Sequence, residues 1–99
     1  MASAPPPSPQ DLLMPGGKPI GTKGSKASIR EVPGGPKAAE DFFDNLAAGG
    51  NPVTVPTYPG RMVDLPGGGR VGLRLKSKSG RPTIDVDIPD IPITKIKFV

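Results

Sequence analysis

Residues 70–98 read RVGLRLKSKSGRPTIDVDIPDIPITKIKF, and most of the fold can be inferred from this stretch. Apolar and polar residues alternate in three short runs, near 70–76, 82–88 and 93–98. Alternation with a period of two is typical of a strand that has one buried face. Because short segments rich in Gly, Pro, Ser and Asp separate the runs, we expect the strands to pair antiparallel.

Upstream of these strands, one helix is predicted over residues 37–48. Its apolar residues recur at the spacing of a single helical face, and Pro36 suits the first helical position; they are Ala39, Phe42, Phe43 and Leu46. Two more strands are expected near 53–56 and 61–65. The predicted fold is therefore α+β, with one helix packed on a small antiparallel sheet of three to five strands.

The start of the chain has a different composition. Residues 1–36 contain many Pro and Gly residues but few large apolar ones, which favours disorder. We expect residues 1–28 to form a flexible, disordered Pro/Gly-rich linker that precedes a domain of residues 29–99. Ile29–Val32 is a candidate for a short edge strand. No secretory signal pattern and no apolar stretch long enough for a membrane span is present.

Composition excludes several kinds of chemistry. The 99 residues include no His and no Cys, so disulfides, zinc-thiolate sites and Ser-His or Cys-His nucleophile pairs are excluded. We expect neither a cofactor nor a metal ion. The formal net charge of +4 fits a polyanionic partner without identifying it.

The alternation also sorts the charges of the predicted sheet. The apolar residues share the face under the helix, and the opposite face carries five cations against two carboxylates, with Gly72 as a low point. The side chains assigned to that face are Arg70, Arg74, Lys76, Thr83, Asp85, Asp87, Lys95 and Lys97, with Lys78 and Arg81 at its rim.

Two interpretations of this face stay open. It is either the solvated side of a half-exposed sheet or a phosphate-binding surface for nucleic acid. A base-stacking platform is not expected, because Phe98 points to the core and Tyr58 falls in an irregular loop. Asp85 and Asp87 could hold a hard cation, but ion pairs with Arg74 or Lys95 are the stronger expectation.

Three segments resemble a recurrent bacterial module. These are LPGGGRVGLR at 65–74, SKSGRPTIDV at 77–86 and ITKIKF at 93–98. Together with the helix they resemble the C-terminal toxin domain of polymorphic toxins of the contact-dependent inhibition, Rhs and LXG types. The resemblance covers about residues 29–99, and SKSG-x-PTID is its most specific part.

The resemblance implies a ribonuclease-like toxin of the barnase/EndoU/colicin/RelE superfamily, which binds RNA, such as tRNA, on the sheet face away from the helix. It also implies a cognate, acidic immunity protein as partner. The module would act as a monomer in the target-cell cytoplasm, delivered as the C-terminal part of a larger secreted effector.

Without His, RNA cleavage by the ribose 2′-OH would need other groups. Asp85 would be a weak base, and a lysine among cations (Lys76, Lys95 or Lys97) is the other candidate for proton transfer. Arg74 would stabilise the phosphorane, and Thr83 or Ser79 would orient a phosphate oxygen or the 2′-OH. Arg70, Lys78 and Arg81 would bind the nucleic acid. The alternatives are a non-catalytic basic module that binds nucleic acid or protein, and a Mg²⁺-dependent DNase using Asp85 and Asp87.

Overall fold

The computed structural model describes residues 8–76 and 80–99. Within these two ranges, two α-helices and one 3-10 turn lie among seven short strands. The helices are α1 (Pro9–Leu13) and α2 (Gly35–Leu46), and the 3-10 turn spans Pro15–Gly17. The strands are β1 (Thr22–Lys23), β2 (Ile29–Val32), β3 (Asn51–Val53), β4 (Arg61–Asp64), β5 (Arg70–Arg74), β6 (Thr83–Asp87) and β7 (Lys95–Phe98).

All seven strands belong to one sheet in the order β1-β2-β7-β6-β5-β4-β3. Strand β2 runs parallel to β7, while the other neighbours pair antiparallel. The predicted α+β fold with three to five antiparallel strands is therefore wrong. The part of the chain that the structure describes is mostly sheet, with a mixed seven-stranded sheet and one long helix.

The physical reason lies in the strands that the alternation did not reveal. Strand β1 has only two residues, and β3 includes Pro52, which is tolerated because β3 is an edge strand. Strand β2 is short and joins β7 from the far end of the sequence, so no local turn signals their pairing. Ile29–Val32 is also not an edge strand, since β1 covers its other side.

Helix α2 covers one face of the sheet. It buries Ala39, Phe43 and Leu46 against β5, β6 and β7. Under it lie apolar side chains of these strands, almost completely removed from solvent: Val71, Leu73, Ile84, Val86, Ile96 and Phe98. One predicted inward residue differs, because β5 ends at Arg74 and Leu75 beyond it is 44% exposed.

The segment before β2 is part of this core, so the expected disorder is wrong for residues 8–28. Leu13 of α1 is fully buried in the main apolar cluster. Ser8 and Asp11 form a capping box at the start of α1. Arg30 donates hydrogen bonds to three carbonyl oxygens of this segment, those of Ile20, Gly21 and Ala27. One buried leucine and one arginine thus fix a segment whose composition favours disorder.

Within the described ranges, no helix is both long and apolar enough to cross a membrane.

Candidate functional site on the outer face of the sheet

The sheet face opposite α2, here called the outer face, carries the polar residues of the central strands. Residues paired across neighbouring strands share a face, so the register defines two rows on it. Gly72, Asp85 and Lys95 stand side by side in one row. Arg74, Thr83 and Lys97 form the next. The sequence therefore predicted correctly that these side chains share one face of the sheet. It did not predict how far each side chain is exposed to solvent.

Tyr58, Asp85 and Arg74 make direct contact at the middle of the outer face, and we call these three residues the central group. The Tyr58 hydroxyl donates to Asp85 Oδ2 at 2.6 Å. Arg74 donates from Nε to the same oxygen at 2.8 Å and from Nη2 to Oδ1 at 3.1 Å. The Arg74 and Asp85 side chains are only 18% and 26% exposed, so solvent weakens this two-bond ion pair less than a surface pair.

Two glycines allow Tyr58 to reach this position. A Cβ on Gly72 would lie 2.5 Å from the Tyr58 hydroxyl oxygen and 2.7 Å from Cζ, so the end of the ring occupies the space above Gly72. A Cβ on Gly60 would collide with the carbonyl oxygen of Leu73. The loop before β4 therefore lies against β5 closely enough to place an aromatic ring on the outer face.

The surroundings of the central group raise the pKa of both Tyr58 and Arg74. Burial and the hydrogen bond to Asp85 raise the pKa of Tyr58 far above its ordinary value of 10.0. The hydrogen bond to Asp85 also raises the pKa of Arg74. Tyr58 consequently keeps its proton and acts as a donor at any physiological pH.

Lys95 and Lys97 of β7 differ from the two arginines of β5. Arg74 is paired with Asp85, and Arg70 with Asp64 at 2.5 Å. In residues 8–76 and 80–99 no ion pair involves Lys95 or Lys97. These two lysines are therefore the strand cations of the outer face that make no ion pair in the described ranges, although Asp85 stands opposite Lys95 and Glu31 opposite Lys97 in the register.

The strand positions of the outer face carry no net positive charge, unlike the basic face that the sequence predicts. The four cations at sheet positions are Arg70, Arg74, Lys95 and Lys97. Four acids share the face with them: Glu31, Asp64, Asp85 and Asp87. The two acids that the sequence did not assign here come from β2 and β4, the strands whose register could not be read from the alternation.

The remaining predicted site residues have other surroundings. Thr83 is fully buried, and its hydroxyl donates to the Arg81 carbonyl oxygen at 3.1 Å. Lys76 lies past the end of β5 beside a cleft of about 470 Å³, which Glu40 of α2 also lines. The Arg81 guanidinium lies 3.7 Å from Glu31. Lys78 and Ser79 lie outside the described residues.

Beside the central group is a shallow depression of about 160 Å³. Its polar lining consists of Arg70, Asp85 and Asp87, and Met62 forms part of its wall. No group of three or more acidic side chains in the described ranges is arranged to hold a metal ion. Two carboxylates against one arginine, itself paired with Asp64, give this depression a lining that does not favour a phosphate.

Tyr58 is the site residue that the sequence reasoning missed. Its position in an irregular loop argued against an aromatic side chain on the outer face. The available signal was Gly72, which interrupts the alternation of β5 with a position that has no side chain. A glycine inside a strand often marks the close approach of another group, and here that group is the Tyr58 ring.

Comparison of the chain with protein-family models, with curated proteins and with solved structures found no match.

Proposed function

We propose that the protein is an antibacterial toxin domain that binds RNA on the outer face and cleaves it without a metal ion. The observation that carries this proposal is the arrangement of Lys95 and Lys97, which have no ion pair in the described ranges, next to the central group. Neighbouring strands are about 4.8 Å apart. Lys95, Lys97 and Arg74 could therefore contact two neighbouring phosphates of an RNA strand. The resemblance of residues 65–98 to polymorphic toxin domains supports the same function.

The reaction would be an attack of the ribose 2′-oxygen on the adjacent phosphorus. A bond forms between O2′ and phosphorus, the bond from phosphorus to O5′ breaks, and the products are a 2′,3′-cyclic phosphate and a 5′-hydroxyl. Arg74 and Lys97 would stabilise the charge on the phosphorane. Asp85 is badly placed to take a proton because Tyr58 and Arg74 already occupy both of its oxygens with three hydrogen bonds. Lys95, as a neutral amine, would therefore take the proton from O2′, and the ammonium of Lys97 would give a proton to O5′.

The test is cleavage of a labelled single-stranded RNA in excess EDTA, with the same sequence as DNA beside it. We expect the RNA to be cut and the DNA to stay intact, since only RNA has the 2′-OH. Substituting both lysines, Lys95→Gln with Lys97→Gln, should abolish cleavage. The matched control is Lys37→Gln, which removes one charge on helix α2, where Lys37 pairs with Asp41 at 2.7 Å. RNA that stays intact with the wild-type protein, in buffer and in bacterial extract, would contradict the proposal.

A second candidate is a non-catalytic module that binds RNA on the same face. The observation that favours it is the central group itself, in which the carboxylate is fully engaged and not available for proton transfer. This candidate predicts binding without cleavage. Each phosphate contact in single-stranded RNA contributes about 0.7 to the slope of log affinity against log salt. Removing Lys95 and Lys97 should therefore reduce that slope by about 1.4.

The Mg²⁺-dependent DNase gains no support from the described ranges. Asp85 is bound by Arg74, and Asp87 stands opposite Arg70 in the register. Intact plasmid DNA in the presence of Mg²⁺ would separate this alternative from the other two.

An acidic immunity protein is the partner we propose for the toxin. Its acidic side chains would bind Lys95 and Lys97, which make no ion pair in the described part of the chain, and so exclude RNA from the outer face. Co-expression of such a protein should restore the growth of bacteria that produce the wild-type chain. The cleavage-deficient lysine variant should permit growth without it.

A further inference from the structure

One oxygen atom links the three residues of the central group. Asp85 Oδ2 accepts hydrogen bonds from both the Tyr58 hydroxyl and Arg74 Nε, while Oδ1 accepts only from Arg74 Nη2. Arg74 uses Nε and Nη2 in its hydrogen bonds to Asp85, and Nη1 is the donor of no hydrogen bond found within residues 8–76 and 80–99, although the nearby Tyr58 hydroxyl also helps to raise the pKa of this guanidinium. Asp85 thus holds the guanidinium by its Nε and Nη2 edge, and Nη1 at the other end can bind a ligand.

The orientation of that free end depends on the carboxylate. Rotation about the last side-chain torsion of an aspartate is soft, so two bonds from Arg74 alone would leave the pair free to turn together. The bond from Tyr58 adds a third, independent direction, since Tyr58 comes from the loop before β4 and not from β5 or β6. A planar guanidinium on a fixed carboxylate presents its remaining N–H groups in a fixed direction.

The position of Tyr58 depends on two glycines of the backbone. Gly72 leaves the space that the ring end occupies, and Gly60 lets the loop approach Leu73. A tyrosine resting on the surface by chance would need neither glycine.

We propose that Tyr58 is a positioning residue of the outer-face site: its hydroxyl orients Asp85, which in turn holds Arg74 so that Nη1 binds a phosphate of the RNA. This inference rests on the proposed function of the outer face as the RNA-binding surface. Tyr58 acts through Asp85 and need not touch the RNA itself.

The first test uses the fact that the chain has a single Tyr and no Trp, so its near-ultraviolet signal reports on Tyr58 directly. In an absorbance titration, the wild-type phenol should ionise at a clearly higher pH than free tyrosine. In Asp85→Asn the midpoint should fall, yet remain above that of free tyrosine because burial remains. Gly72→Ala should bring the midpoint close to the free value, since the new methyl group displaces the ring. An Asp85→Asn midpoint equal to the wild-type one would overturn the inference.

The second test is a double-mutant cycle on RNA binding. The probe is a single-stranded RNA with 2′-deoxyribose at every position where the protein cuts, so that binding is measured without cleavage. Tyr58→Phe keeps the ring on Gly72 but loses the hydroxyl, and should weaken binding about tenfold. Arg74→Gln should weaken it at least as much. The double variant should bind no more weakly than Arg74→Gln alone, because Tyr58 acts only through Arg74.

The outcomes of this cycle distinguish the inference from the proposed function. If the wild-type protein binds the RNA but the two losses simply add, or Tyr58→Phe binds as the wild type does, Tyr58 is not a positioning residue and the function stands. If the wild-type protein does not bind RNA at all, the proposed function fails, and the positioning role fails with it. Lys37→Gln is again the control with unchanged binding, and equal thermal midpoints show that the variants are folded.

Discussion

The two faces of the sheet are built from the same alternating strands but are held together in different ways. Under helix α2, Phe43, Ile84 and Ile96 are fully buried and stabilise the fold through apolar contact, which has no preferred direction. On the outer face, Asp85 accepts three directional hydrogen bonds from two elements of the chain. Stability is therefore concentrated on the helix side, and orientation of side chains on the outer side.

The largest effect should follow from emptying the helix-side core. Phe43→Ala removes a fully buried ring and should lower the free energy of unfolding by about 3–5 kcal/mol, measured by denaturant titration. The neighbouring Phe42→Ala is the control. Phe42 packs against Phe98 with ring centroids 6.1 Å apart but is only partly buried, so its loss should cost less. Equal losses of unfolding free energy in the two variants would contradict the distinction between a fully buried and a partly buried phenylalanine.

A slightly smaller effect should show whether α1 belongs to that core. Leu13→Ala removes a fully buried side chain and should cost about 2–5 kcal/mol of unfolding free energy. The control is Leu12→Ala, since Leu12 belongs to the same helix but is only partly buried. If Leu13→Ala unfolds at the wild-type denaturant concentration, residues 8–28 do not stabilise the domain, and the helix-side core ends at α2.

The sequence predicts the features that depend on residues close together in the chain, and it does not predict those that depend on residues far apart. The alternation of β5, β6 and β7 and the apolar stripe of α2 are local patterns, so the core residues Val71, Ile84, Ile96 and Phe43 could be placed on one side. The parallel pairing of β2 with β7 joins residues 29–32 to 95–98, and no local pattern encodes it. The burial of Leu13 likewise depends on distant partners, since it belongs to the same apolar cluster as Phe43 and Phe98.

The candidate site divides in the same way. The common face of Arg74, Asp85, Lys95 and Lys97 follows from a period of two and could be predicted. The hydrogen bonds of Tyr58 could not, because the path of an irregular loop is fixed by tertiary contacts. Gly72 signalled that something approaches β5, without saying what.

An intermediate effect should come from filling the space above Gly72. Gly72→Ala places a methyl carbon 2.5 Å from the Tyr58 hydroxyl oxygen and should displace the ring at a cost of about 1–3 kcal/mol. Gly67→Ala is the matched control, since a Cβ there meets no atom within 4 Å. The free energies of unfolding of both variants can be compared in one denaturant series. A loss at Gly72 no greater than that at Gly67 would mean that Tyr58 is not held against β5.

The smallest effect should come from the exposed ion pair at the edge of the outer face. The Arg70 guanidinium lowers the pKa of the Asp64 carboxyl, so the folded protein favours the ionised form more than the unfolded chain does. The stability from this pair is therefore present above the unfolded pKa of about 3.9 and is lost as the pH falls through the lower folded value.

Asp64→Asn should make the free energy of unfolding less dependent on pH in that acidic range, and Arg70→Gln should do the same by removing the partner. Because both side chains are more than two-fifths exposed, the change should be far smaller than the loss in Phe43→Ala. Acid unfolding curves of Asp64→Asn that coincide with those of the wild type would show that this pair does not stabilise the fold.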